Sequence, residues 1–526
     1  MIFLAACGEE WLNINEDPIN PTEAQLDLYL PAIQGAMVWG LNDQINEGTS
    51  IYIQHAYGLT LSRYEQTPAS FSESWEELFA GSLQDIEAFI SASEADSLDI
   101  YAGVGKIYKA YIYVNLVDMW GDAPYTEAFQ GLEVSEPMFD DGAFIYDEAY
   151  ALLDEAIEDL ANDESGAVPS SDMFYGGRTT ANYVDVYTRL ANTIKLKMYV
   201  QERLVNSGES TSGITSLIND ADLIDDADDD FVFNYGTNLE PNNRHPQYSQ
   251  HYQPGKSFYM NNFFMNYLIT RDDPRLRFYI YRQTLSDPTG DNIPCLTVDC
   301  NYGYQGDGYI GRDHGDGSGI PPDDDTRATY GVYPAAGLWD PDGGNSTVEQ
   351  GDGGQGAGIL PLITTSMVKF WLAEASYKLG TPGDPRALLE DGIRESIDKV
   401  ISFGLETDET IDTDEVPDAA AIDAYVQDIL DRYDNPEGVD ENDNRTEEDL
   451  RFAVLMEQAW VSLFGNGYEA YNNYRRTGHP DFEAYGAEAI NPLGGFPLRL
   501  PMSIAELQGN ANADNTPVTE PVFWDQ

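Results

Sequence analysis

Apolar positions recur every three to four residues through most of the chain, the period of a helix buried on one face. From Pro21 onward the stripe Ala24, Leu28, Ile33, Met37 and Leu41 predicts a first helix with Thr22 as its cap. Trp75, Leu78, Phe79, Leu83, Ile86 and Phe89 predict a second helix that begins near Ser72 or Ser74. Ser74 and Glu77 have the spacing of a capping box. A third helix spans roughly Leu98 to Trp120, with Ile107, Ala110, Tyr111, Val114 and Val117 on its stripe. Further helices are predicted over about 143–161, 180–206, 361–379, 385–402, 417–432 and 446–465. Helices paired through short turns predict a solenoid-like scaffold. No clean repeat period is visible, so any repeats are degenerate.

Residues 231 to 360 break this pattern. They are rich in Gly, Asp, Pro, Asn and Tyr, and helical stripes are few. The stretches 305–327 and 340–358 read as long irregular loops, which in a compact protein are functional or disordered. Tyr302, Tyr304, Tyr309, Tyr330, Tyr333 and Trp339 punctuate them. Disordered segments are poor in aromatics, so ordered loops that form a surface are the better expectation.

Composition narrows the function. The 526 residues are too many for one simple core and predict packed subregions. With 92 acidic against 27 basic residues the formal charge is −65, which repels phosphate backbones and excludes nucleic acid as a partner. No apolar run reaches the roughly 20 residues that span a bilayer. The 34 tyrosines offer flat apolar faces with polar tips, suited to gripping polar ligands. Cys295 and Cys300 are close enough to bridge a small loop, or equally to stand as two free thiols.

Catalytic and cofactor motifs are weak. Gly351 to Gly356 fits the spacing of a dinucleotide loop, but it follows no strand, opens no helix and carries Asp352 where a phosphate would sit. Asp440 to Asn444 starts like a calcium loop, yet Arg445 stands in for the needed glycine and Arg451 for the twelfth-position glutamate. Asp313 and Asp316 offer oxygens for an irregular calcium site, with solvated turn residues the better reading. His55, His245, His251, His314 and His479 are scattered, with no credible nucleophile beside them. No cofactor is expected, structural calcium being the one ion the acidic loops suit.

Leu4-Ala5-Ala6-Cys7 has the shape of a lipobox, in which small residues let the processing enzymes reach a cysteine that becomes the acylated first residue. Gly8-Glu9-Glu10 follows it. "WLNINEDPINPTEA" (11–24), "LVDMWGDAPYTEAF" (116–129), "RLANTIKLKMYVQER" (189–203), "TRDDPRLRFYI" (270–280), "FWLAEASYKLG" (370–380), "LFGNGYEAYNNYRRTGHP" (463–480) and "FPLRLPMSIAEL" (496–507) then occur in order. These segments resemble SusD/RagB-like outer-membrane lipoproteins of Bacteroidetes, and together they span nearly the whole chain. Their residues read as fold determinants. Gly121 lets the chain leave its helix, Asp122 accepts backbone donors, and Arg475 and Arg476 hold acidic neighbours or helix-end carbonyls.

The resemblance implies a mainly α fold, with TPR-like helix pairs packed against an irregular ligand-binding region. It implies residues 1–6 as the remnant of a signal, 7–20 as a linker anchored through lipid on Cys7, and 21–526 as a single domain. In that domain the scaffold covers about 21–230 and 360–480, and the loop-rich insertion about 231–360. It further implies a protein on the outer face of the outer membrane that captures a glycan for a SusC-like TonB-dependent transporter, without covalent chemistry. A peptide-binding relative, a pure scaffold for protein partners and an α-helical glycoside hydrolase are the competing readings. Ligand positions vary in this family, so the candidates come from this sequence: Arg63, Tyr64 and Gln66 in 59–67, and Tyr302, Tyr304, Tyr309 and Trp339 in the insertion. Tyr248 and Tyr252 are second-rank.

Overall fold

The computed structural model describes residues 26–58, 60–162, 165–253, 259–286, 306–317, 326–343, 345–438, 443–482 and 495–525. The first part is helical. α1 (Leu26–Gly40) continues through a π-helical turn, Leu41–Ile45, into α2 (Asn46–Tyr52). The short strand β1 (Ala56–Tyr57) follows. α3 (Ser72–Glu76) runs through a second π-helical stretch, Glu77–Leu83, into α4 (Gln84–Ala95). α5 (Asp99–Trp120), α6 (Gly142–Ala161), α7 (Thr180–Gln201) and α8 (Ser207–Asp220) then pack in succession, α5 on α6, α6 on α7 and α7 on α8.

The middle is built of small pieces. Its elements are β2 (Phe231–Asn234), α9 (Pro246–His251), β3 (Tyr259–Met260), α10 (Asn262–Ile269), α11 (Leu276–Tyr279), β4 (Ile280–Arg282), β5 (Ala328–Tyr330) and β6 (Ile359–Ile363). Three antiparallel pairs form: β1 with β3, β2 with β6, and β4 with β5. The first joins the middle to the loop that leaves α2. Helices return with α12 (Thr365–Leu379), α13 (Pro385–Thr407), α14 (Ala419–Asp434), α15 (Glu447–Ser462), α16 (Gly467–Thr477) and α17 (Ile504–Gly509). α12 pairs with α13 and α14 with α15 around a second core of Phe370, Leu389, Ile393, Ile429 and Leu455. The fold is therefore mainly α with antiparallel helix pairs, as the periodicity predicts.

Four details differ from the sequence reading. Leu28 is not inward but 64% exposed; the buried face of α1 is Leu30, Ile33, Gln34 and Met37. Ser74 does not cap a helix, because the helix already starts at Ser72 and Ser74 sits buried inside it. The segment 361–379 begins in the strand β6, and its helix starts only where the Thr364 side chain accepts the Met367 amide. α7 stops at Gln201, after which a 3-10 turn, Glu202–Leu204, closes it. Thr22 lies outside the described residues.

Charge is buried where the family-like segments fall. Lys197 on α7 donates to Asp118 on α5 at 2.7 Å and lies 2.9 Å from Glu469 on α16, all three side chains at most 2% exposed. Arg476 makes a two-pronged pair with Glu374 on α12, at 2.7 Å to each oxygen, and Arg203 joins the same carboxylate at 2.6 Å. Burial alone would raise the Glu374 pKa; the guanidiniums of Arg476 and Arg203 outweigh it and hold the carboxyl at about 2. Arg275 is gripped by Asp273 at 2.9 and 2.7 Å and also donates to Ser396, Tyr425 and Gln458. Each knot ties helices that are far apart in sequence.

Candidate functional site

The loop after β1 meets residues 314–316 of the insertion. Gly121 shows how the scaffold frees such loops: at φ +89 it ends α5, and a Cβ there would lie 3.0 Å from the Arg499 guanidinium. Asp122 then accepts the Gly142 amide at 3.0 Å, which sets the start of α6. The loop 60–67 holds Tyr64 in the left-handed region, φ +56, at the end of a 3-10 turn, Leu61–Arg63. That backbone turns the Tyr64 ring inward, where it is 6% exposed. It packs against Tyr52 at 5.8 Å, Phe496 at 5.5 Å and His314 at 5.4 Å between ring centroids.

The facing loop is pinned by backbone. The amides of Asn262 and Arg312 exchange bonds with the carbonyls of Arg312 and Met260, at 3.0 and 3.2 Å. Asn262 Nδ2 donates to Asp313 at 2.8 Å, and the Tyr57 hydroxyl donates to the Asp316 carbonyl. Arg312 lies over Tyr259 at 4.0 Å and over Tyr57 at 5.5 Å. Asp313 therefore serves the loop; among the described residues no three His, Cys, Asp or Glu side chains converge as metal ligands.

Polar groups in this joint lack partners. Both nitrogens of His314, both polar atoms of the Gln66 amide and the Tyr52 hydroxyl are buried, with no hydrogen-bond partner among the described residues. Burial pushes His314 down to about 3, so the imidazole is neutral and offers one donor and one acceptor. Buried polar groups left unpaired cost about 1–3 kcal/mol each. Together these groups offer both donors and acceptors.

The other sequence candidates are placed as follows. Arg63 is half-buried beside Tyr64 and pairs with Glu65 at 3.2 Å. Tyr309, 7% exposed, lies under Arg282 at 4.7 Å, with its hydroxyl 3.4 Å from Asp340. Trp339, 6% exposed, packs on Phe278 and beneath Arg277, and its indole N–H has no partner among the described residues. Asp340 clasps this second cluster through Arg282 at 2.7 Å and Asn345 at 2.7 Å. So Tyr64 comes together with His314, while Tyr309 reaches Asp340, the chain neighbour of Trp339, and no contact joins the Tyr309 and Trp339 rings among the described residues. Tyr248 and Tyr252 stack on each other at 4.4 Å, fully buried. Their hydroxyls hold Gly351, Asp352, Tyr330 and Leu338, so the glycine run at 351–356 is held by packing. Tyr302, Tyr304, Cys7, Cys295 and Cys300 lie outside the described residues.

Sequence reasoning passed over His314, because histidines were weighed as bases beside nucleophiles. The signal available was its place in a glycine- and aspartate-rich loop, where a histidine has few local partners.

The sequence model of the SusD-like family, described as starch-binding and associating with the outer membrane, matches residues 20–501. No curated protein matches the chain. Among solved structures, a chitin-binding protein is 20% identical with a TM-score of 0.68, covering 95% of this chain and 100% of its own. A chitin-binding SusD homologue from Flavobacterium johnsoniae is 17% identical with a TM-score of 0.68, covering 95% and 97%. A SusD homologue from Bacteroides fragilis is 17% identical with a TM-score of 0.68, covering 96% and 100%. At these identities the likeness to the solved structures is one of fold.

Proposed function

The chain belongs to the SusD-like family, and from that premise we propose that it is a cell-surface lipoprotein which captures a neutral glycan and delivers it to a SusC-like TonB-dependent transporter. In this reading Cys7 carries the lipid, 7–20 is the linker, and 21–526 acts as one binding domain. The site is the joint between 59–67 and the insertion: Arg63, Tyr64, Gln66 and His314 line one part and Tyr309 and Trp339 the other, with Tyr302 and Tyr304 as sequence candidates outside the described residues. Turnover is no part of the reading; no metal or cofactor is called on.

The observation that carries it is the group of unpartnered buried polar atoms on Tyr52, Gln66 and His314 around the Tyr64 ring. Sugar hydroxyls both donate and accept, and a neutral imidazole and an amide do the same. A formal charge of −65 favours an uncharged polymer over a polyanion. Starch, from the family description, and chitin, from two of the structural neighbours, head the panel.

The test is affinity electrophoresis through soluble neutral glycans, with calorimetry on maltohexaose and chitohexaose, with and without calcium. Retarded migration and saturable binding without release of shorter sugars is the expected result. No retention by any neutral glycan would turn the reading toward peptide cargo, and release of shorter sugars would make the protein a hydrolase.

A further inference from the structure

A second surface, remote in sequence from 59–67, has the composition of a sugar platform. Of the seven tryptophans among the described residues, six are at most 6% exposed, and Trp39 on α1 is 50% exposed. It borders a groove of about 460 Å³, whose other walls include Met173, Phe233, Tyr235, Asn234 and Asn243. That volume falls within the roughly 300–1,000 Å³ typical of small-molecule sites. The Trp39 ring makes no ring contact among the described residues, so its face is not taken up by a neighbouring aromatic.

The walls are rigid. Phe233 lies on β2, held by β6, and meets Phe174 at 5.8 Å and Tyr235 at 5.0 Å. The Tyr235 hydroxyl accepts from Asn42 at 2.6 Å, and its ring packs edge-on to His245. The Asn243 side-chain oxygen accepts the Asn238 amide at 2.8 Å, which leaves its Nδ2 uncommitted among the described residues. Asn234 is exposed, with its amide likewise uncommitted.

Charge decides what fits. None of the residues lining this groove is charged, in a chain where 23% of residues are. A larger cavity of about 720 Å³ is the contrast: it is lined by Arg178, Arg189, Lys369 and several aspartates, with Arg178 and Arg189 both committed to Asp229. A neutral groove offers no ion-pair partner to a cationic peptide or to an anion. It suits a ligand with alternating C–H faces and hydroxyl edges. The negative face of an indole attracts the C–H face of a pyranose ring, and the two amides are in reach of its rim.

We propose that the Trp39 groove is a second glycan-binding site, taking a short run of a neutral oligosaccharide with one ring stacked on the indole. The proposal rests on the glycan reading above and adds a site to it, so the polymer is held at two points. Two weak sites on one chain raise retention of a long polymer without any change at the loops.

The test uses the purified chain with maltohexaose and chitohexaose. Tryptophan oxidation by N-bromosuccinimide is mapped by peptide mass spectrometry, and binding is followed by calorimetry. Trp39 is expected to be protected at least fivefold by one of the two sugars. Trp39→Ala and Gly35→Leu are each expected to weaken one class of binding about tenfold. Gly35→Leu fills the groove while leaving the indole in place: a Cβ at Gly35 meets nothing within 4 Å, and leucine is the better helix former. His314→Leu, which alters the loop site, should leave protection of Trp39 intact. Equal oxidation with and without sugar, while calorimetry still finds binding that His314→Leu removes, overturns the groove and leaves the glycan reading standing. Protection that disappears in His314→Leu also overturns it, because Trp39 would then report the loop site. Absence of both protection and calorimetric binding overturns both.

Discussion

The helix knots and the loop joint bury polar groups in opposite ways. In the knots every charge has a close answer: Glu374 meets two guanidiniums, Lys197 two carboxylates, and Arg275 a carboxylate, two hydroxyls and an amide. In the joint, His314, Tyr52 and the side-chain amide atoms of Gln66 are buried and without partners among the described residues. The knots pair charge with charge across helices and so hold the fold. In the joint these groups have no partner among the described residues, which is what the proposed glycan site draws on. The contrast is one of charge: the knots pair ionised groups, while the joint buries neutral polar ones.

The comparison breaks hardest at Glu374. Glu374→Ala strands Arg476 and Arg203 in the core, and loss of one member of a buried pair costs about 3–5 kcal/mol. Urea unfolding should show that loss in full, while the folded fraction binds glycan as the wild type does. A shift below 1 kcal/mol would mean that water replaces the carboxylate, and the knot would no longer count as closed.

Acid should separate the two regions next. His314, His55 and His245 are each pushed down to about 3 by burial, although His55 and His245 keep a carbonyl contact that His314 lacks. The folded pKa lies below the ordinary 6.5, so between these values the unfolded chain binds the proton and the folded chain does not. Stability is therefore undiminished by these groups above pH 6.5 and falls as pH drops toward 3, by about 1.4 kcal/mol per pH unit for each histidine. His314→Leu should flatten the slope by that amount between pH 6 and 4. Glu374 contributes only lower down: its stabilisation is full above its unfolded pKa of 4.5 and is lost as pH falls toward 2. An unchanged slope in His314→Leu would show that this imidazole takes up its proton in the fold.

At pH 7 the same variant has a smaller effect on stability, of opposite sign to most core changes. Replacing an unpartnered imidazole by an apolar group of similar size should leave stability unchanged or raise it by about 1 kcal/mol. Glycan affinity should fall about tenfold. Thermal melting and calorimetry on one preparation check both, and a parallel loss of stability would place His314 with the scaffold.

How much of this was legible in the sequence follows from the same contrast. Helices such as α6 and α14 announce themselves because their periodic apolar faces are local. The short family-like segments were legible as fold determinants: Arg476 holds an acidic neighbour, Glu374, and Arg475 holds the carbonyls of Asp118 and Leu498. Which acid meets which base was not legible, since 92 acids allow endless pairings and only tertiary packing selects one. β6 was misread because an apolar run of five looks the same in a helix or a buried strand. In the site, the aromatic content was legible and its depth was not. Tyr64 is turned inward by one positive φ, and Trp39 is turned outward because it lies off the Ile33, Met37 stripe.

The smallest effect asks whether Arg63 belongs to scaffold or to site. Its pair with Glu65 is 3.2 Å long, with side chains 34% and 39% exposed, a geometry in which an ion pair is worth about 0–1 kcal/mol. Arg63→Ala and Glu65→Ala should therefore each move stability by less than about 0.5 kcal/mol. Both remove the same pair, so any part the pair plays in holding the loop is lost equally in the two variants. What differs is the guanidinium, with five donors that suit hydroxyl oxygens. If Arg63 touches the glycan, Arg63→Ala weakens maltohexaose or chitohexaose binding about threefold and Glu65→Ala does not. Equal losses in the two would assign Arg63 to the loop, and the site would then rest on His314, Gln66 and the aromatic walls alone.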